Sequence, residues 1–299
     1  RLIWTLFIYK VKTLRYNERK QKEQERSISM KVTIVVDNIE HAGIPGEWGF
    51  CAYIEQNGKK LLLDTGASNL FADNAEKLNI DLKDVDFAVL SHAHYDHANG
   101  MEKFFEINEK APFYLQEGCG ENCYFKKGFI RKYIGIPKGI TKKYQDRIEY
   151  VSGVYTVADG IYLVSHSTPH LEQIGKKEMM YQKTKLGWKP DNFCHEQSLV
   201  LDTDSGLVIF NSCSHGGVVN IINEVKAAFP EQKITALIGG FHIFRHPEAA
   251  IRELAKLIKE TGIQRIYTGH CSKERGYRIL REELGDMAGQ FYVGMELEF

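Results

Sequence analysis

Ser91-His92-Ala93-His94-Tyr95-Asp96-His97 follows directly on the apolar run Phe87-Ala88-Val89-Leu90. Four side chains able to bind a metal, His92, His94, Asp96 and His97, therefore fall within six residues at the end of a strand candidate. Burying that many imidazole and carboxylate groups without a cation is costly. Imidazole is the commonest transition-metal side-chain ligand, and a carboxylate beside it suits zinc, iron or manganese. The spacing points to a metal rather than to core packing.

Working outward, three more apolar runs end in histidine. Leu207–Phe210 leads into Asn211-Ser212-Cys213-Ser214-His215, Ile234–Ile238 into Gly239-Gly240-Phe241-His242, and Arg265–Thr268 into Gly269-His270-Cys271. Loops at the carboxyl ends of strands are where α/β folds assemble their sites. Further strand candidates are Val32–Val36, Phe50–Glu55, Lys60–Leu63, Phe113–Leu115, Ile161–Ser165 and Ser198–Leu201. Helix candidates are Ser68–Leu78, Val218–Phe229 and Pro247–Thr261. In the last, Pro247 suits the first turn, Ile251, Leu254, Leu257 and Ile258 form an apolar stripe, and Gly262 marks the stop. Strands and helices mixed along the chain predict one layered α/β domain over residues 30–299.

Composition narrows the class. The 299 residues carry 39 Lys+Arg against 39 Asp+Glu, with 43% hydrophobic and 26% charged side chains. A disordered chain, a collagen-like repeat and a polybasic nucleic-acid binder are excluded. The six cysteines are too sparse for a disulfide scaffold and, with no secretory signal, read as reduced thiols in a cytoplasmic protein. Residues 1–29 read as an extension outside the fold; their apolar stretch Leu2–Ile8 is too short to span a bilayer.

The His-x-His-x-Asp-His spacing resembles the signature of the metallo-β-lactamase superfamily. The resemblance extends to Leu61-Leu62-Leu63-Asp64-Thr65-Gly66 upstream and to the later histidines, so it covers residue 30 to the C-terminus. A narrower likeness is to the branch of metal-dependent hydrolases and dihydropterin-ribofuranosyl-aminobenzene phosphate synthase-like proteins. It rests on the order of Glu47-Trp48-Gly49-Phe50, Glu196-Gln197-Ser198-Leu199-Val200, Ser212-Cys213-Ser214-His215, Gly239-Gly240-Phe241-His242 and Gly269-His270-Cys271.

The resemblance implies a four-layer αββα sandwich with metals at one edge of the two sheets. It places His92 and His94 in a first metal site and Asp96, His97 and His270 in a second. The third ligand of the first site is His215 or, less favoured, His170 in Ser167-Thr168-Pro169-His170. Many relatives carry a bridging Asp after the strand that ends here at Phe210; this chain offers Asn211-Ser212-Cys213, so Cys213 is either a thiolate ligand or a small buried thiol. Asp64 reads as a carboxylate that orients the ligand histidines. His242 is a candidate for oxyanion stabilisation, and His41, His166, His195 and His246 read as ordinary structural residues.

One or two divalent transition metals are expected, zinc first, with iron or manganese as alternatives. Such a cation with an open position acidifies water, and Asp96 is placed to ligate or to accept a proton. Hydrolysis of a small anionic molecule is the leading expectation. Transferase chemistry like that of the synthase branch and a non-catalytic metal-binding sensor are the alternatives. A basic aromatic insertion near 118–150, with Arg131, Lys132 and Tyr133 as candidate substrate-binding residues, reads either as a lid that attracts an anion or as a solvated loop. The basic stretch around Trp188 carries the same two readings. The partner expected is a small molecule, with no nucleic acid and no membrane; the oligomeric state is open.

Overall fold

The computed structural model describes residues 30–299; the extension expected at 1–29 lies outside the described residues. One seven-stranded sheet has the order β18-β1-β2-β3-β4-β5-β8. Its strands are β1 Met30–Val36, β2 Cys51–Gln56, β3 Lys59–Leu63, β4 Phe87–Val89, β5 Phe113–Gln116, β8 Ile148–Val151 and β18 Glu296–Glu298. A second, ordered β17-β16-β15-β14-β13-β10-β9, contains β9 Val154–Ala158, β10 Ile161–Ser165, β13 Gln197–Thr203, β14 Gly206–Phe210, β15 Ile234–Ile238, β16 Arg265–Thr268 and β17 Ala288–Gln290.

Period-two alternation sorts the strand residues into layers. Ile54, Leu63 and Val89 of the first sheet meet Leu199, Leu201, Val208 and Phe210 of the second in one central core. The alternate residues face outward. Val200, Ile209 and Leu237 pack under helices α6 Val218–Ala228, α7 Glu248–Glu260 and α8 Lys273–Leu284. Leu62 and Ala88 pack under α1 Leu70–Lys77 and α3 Met101–Ile107, where Phe71, Phe104 and Phe105 fill the layer. Both faces of each sheet are thus covered, which is why these strands read as continuous apolar runs. The arrangement is the expected αββα sandwich.

α7 departs from its predicted stripe in one respect. Ile251, Ala255 and Ile258 are buried, but Leu257 is 40% exposed and, with Leu254, lines a cavity.

The two basic stretches form a separate sheet. β6 Tyr124–Lys127 and β7 Ile130–Tyr133 make a hairpin, β11 Met180–Thr184 and β12 Gly187–Pro190 another, and β11 pairs with β6 to give the order β12-β11-β6-β7. The short helices α2 Tyr95–Ala98, α4 Ile140–Lys143 and α5 Glu172–Lys177 complete the elements. Among the described residues no helix is long and apolar enough to cross a membrane.

Candidate metal centre

β4, β14, β15 and β16 deliver their following loops to one edge of the sandwich. After β4 the His94 N–H bonds back to the His92 carbonyl, and His94 precedes α2, whose first turns present Asp96 and His97. Asp64, just past β3, organises this loop. Its Oδ1 accepts the Ser91 N–H at 2.7 Å; its Oδ2 accepts the Ser91 hydroxyl and the His97 Nδ1–H, each at 2.7 Å. The Ser91 hydroxyl, already donating to Asp64, accepts from His92 Nδ1 at 2.9 Å. Both rings are therefore held as the tautomer whose Nε2 lone pair is free.

The same rule governs the later histidine. The His270 N–H donates to Asp37 Oδ1 at 2.7 Å and its Nδ1 lies 3.3 Å from Asn38 Oδ1, leaving Nε2 toward Asp96 Oδ2 at 3.5 Å. His215 Nε2 and His94 Nδ1 stand 3.1 Å apart.

Two sets of donors result. The ligand atoms of His92, His94 and His215 lie within 4.8 Å of one another. Asp96 Oδ2 is 3.8 Å from His97 Nε2 and 3.5 Å from His270 Nε2. Cys213 stands between the sets: it groups with His92 and His97 on one side and with His270 and Cys271 on the other, and its Sγ is 3.3 Å from His97 Nε2. Nε2 of His92 and of His270 is buried without a hydrogen-bond partner, as is Nδ1 of His215. Burial, reinforced by the neighbouring imidazoles, pushes His92 and His215 well below the usual histidine range and His94 to about 3. Unpartnered imidazole nitrogens, a carboxylate and a thiol fit a divalent transition metal.

The structure sets His170 apart from this cluster. Its side chain is 74% exposed and lies 3.4 Å from Glu172, outside the donor group that His215 joins with His92 and His94. The candidate substrate residues also divide. Because side chains alternate along β7, Lys132 turns to the Tyr95 ring and lines the cavity over the centre, whereas Arg131 turns away onto Trp188. Tyr133 donates its hydroxyl to the Ile136 carbonyl and lines an outer groove with Lys132.

Two cavities meet at the centre. One, of about 250 Å³, has His94, Asp96, Cys213, His215 and Cys271 along one side and Trp48, Tyr95, Phe125, Lys132, Phe244 and Arg245 along the other. The second, of about 330 Å³, is mainly apolar, with Ile174, Val218, Phe241, Ile243, Leu254 and Leu257. His215, His242 and Glu178 border both. His242 sits at φ +48° with Nδ1 unpartnered, its ring 4.4 Å from that of His215.

Several of these residues escaped the sequence reading. His195, read as an ordinary structural histidine, accepts the Ala93 N–H on Nδ1 at 3.2 Å and lies 3.1 Å from Asp191 Oδ2 through Nε2. It wedges the loop between His92 and His94. Burial raises the Asp191 carboxyl, but His195 outweighs it and holds the group at about 2. Arg245, Trp48 and Glu178 were missed too. Arg245 lies three residues beyond His242, so following that strand-end loop further would have found it.

Residues 48–175 match the metallo-beta-lactamase superfamily, and the fold continues that match through the second sheet. The chain has a fold similar to that of the metallo-β-lactamase superfamily. Among its relatives, it is 28% identical over 270 residues to the 7,8-dihydropterin-6-methyl-4-(beta-D-ribofuranosyl)-aminobenzene-5'-phosphate synthase of Methanocaldococcus jannaschii, covering 84% of this chain and 88% of that one. A crystal structure described as a metal-dependent hydrolase of the beta-lactamase superfamily superposes with a TM-score of 0.77 at 25% identity, covering 90% of this chain and 99% of that one. The metallo-beta-lactamase fold protein YhfI of Bacillus subtilis shares the fold at a TM-score of 0.57 and 13% identity, covering 91% of this chain and 99% of its own.

Proposed function

We propose that the chain is a metal-dependent hydrolase acting on a small substrate that bears an anionic group. The reading is carried by one observation: buried, unpartnered imidazole nitrogens converge beside a cavity that also holds Lys132 and Arg245. His92, His94 and His215 would hold a first cation; Asp96, His97 and His270, with Cys213 between the sets, would hold a second. Bound there, a divalent cation, zinc by the donor chemistry, would acidify water and polarise a carbonyl or phosphoryl group.

The protein's own groups do the rest. Asp96 is placed to accept a proton from the attacking water. His242, on the border of both cavities, can donate to charge developing on the substrate oxygen. Lys132 and Arg245 draw the anion in, while Trp48, Tyr95 and Phe244 offer flat faces that exclude water. The apolar cavity receives the uncharged part of the molecule.

A second reading, transfer rather than hydrolysis, is favoured by the likeness to a synthase whose name joins a dihydropterin, an aminobenzene and a phosphate. The aromatic and cationic side of the smaller cavity suits such groups equally well.

The test is elemental analysis of the full chain purified without added metal, with turnover of esters, lactones and phosphodiesters measured with and without chelator. Bound metal and chelator-sensitive turnover are expected, and His97→Ala should lose both. Turnover that survives chelator and His97→Ala would sink the hydrolytic reading. Tight binding of a pterin analogue without hydrolysis would transfer the assignment to the second.

A further inference from the structure

Cys213 and Cys271 lie in the segments that follow β14 and β16, two strands separated in the sheet only by β15. Their sulfurs are 3.5 Å apart, unbonded, and both residues are buried yet line the cavity over the centre. The neighbouring backbone makes room for the pair. A Cβ on Gly240 would stand 2.5 Å from Cys271 Sγ, so only glycine admits that sulfur, and the His242 N–H donates to it at 3.2 Å. A disulfide needs its sulfurs at about 2.05 Å, so closing this gap takes roughly 1.5 Å of movement.

We propose that Cys213 and Cys271 form a reversible redox modification site that switches the metal centre off when a small hydroperoxide enters the cavity. One thiol passes its proton to the leaving oxygen as its sulfur attacks the peroxide, breaking the O–O bond to give a sulfenic acid and water or an alcohol. The second thiol's sulfur then attacks the sulfenic sulfur, forming the S–S bond as its proton leaves with the hydroxyl as water. Two thiols and one hydroperoxide thus give one disulfide, one water and one further water or alcohol. A dithiol reductant reverses the change by exchange. The disulfide draws Cys213 off the position 3.3 Å from His97 Nε2, between the two donor sets, and would remove a sulfur donor from a cation held there. The inference concerns retention of the cation and holds whether the centre hydrolyses or transfers.

The experiment treats the full chain, as purified, with hydrogen peroxide, then blocks free thiols by alkylation and maps peptides by mass spectrometry, with metal content measured in parallel. A peptide pair linked through Cys213 and Cys271 is expected, with at least a tenfold loss of bound metal that returns on reduction and metal addition. Cys271→Ser should give no linked pair. Should that variant not fold, the unmodified chain still decides. Free, alkylatable Cys213 and Cys271 after peroxide, or a disulfide confined to Cys119, Cys123 and Cys194, would overturn the proposal. Metal loss without the linked pair would also overturn it. These outcomes leave the hydrolytic reading intact, because that reading is tested by chelator and His97→Ala.

Discussion

The sandwich and the small sheet β12-β11-β6-β7 are built from strands of similar length but hold together differently. Leu199, Val200 and Leu201 are all fully buried, because helices or the opposite sheet cover each face. In β7, Ile130, Arg131 and Lys132 are all exposed, and Phe129 at the hairpin tip is wholly so. The sandwich is stabilised by apolar area. The small sheet relies on its backbone ladder and on side-chain contacts such as Tyr124 against Trp188, with rings 5.0 Å apart. The comparison teaches a division of labour: the sandwich edge fixes the donor atoms, and the small sheet supplies Lys132 over the cavity at little cost to stability.

Mutations in the two regions should differ in size of effect. Phe210→Ala should destabilise the chain by about 3–5 kcal/mol, while Phe129→Ala should stay within about 0.5 kcal/mol. Denaturant unfolding measures both, and equal losses would erase the distinction. Next in size, Asp64→Asn should leave the fold in place and weaken cation affinity by roughly 10–100-fold, since Asp64 acts only through Ser91, His92 and His97. Chelator competition reads this effect. The smallest effect divides neighbours on β7: Lys132→Ala should raise KM for an anionic substrate about fivefold, more at low salt, and Arg131→Ala should not change it. Identical behaviour of the two variants would deny that strand alternation selects the residue facing the site.

The legibility of the chain follows the same division. The sandwich strands were readable because burial on both faces leaves continuous apolar runs, and His92–His97 because its donors are local in sequence. His215, His242 and His270 were readable as strand-end residues. β6, β7, β11 and β12 carry lysine, arginine and half-buried aromatics without a clear apolar alternation, so nothing marked them as strands. His195 and Asp191 sit in a stretch with no apolar pattern, and their tie to Ala93 exists only in the folded chain. Leu257 lay on a regular helical stripe; only the cavity beside α7 explains why it is exposed.

Asp64, His242 and His270 adopt φ of +61°, +48° and +44°, a region that side chains other than glycine enter at a cost of about 1 kcal/mol each. Glycine at position 242 would relax that conformation, at the loss of the ring that borders both cavities. Durability and the donor cluster thus pull against each other at these three positions.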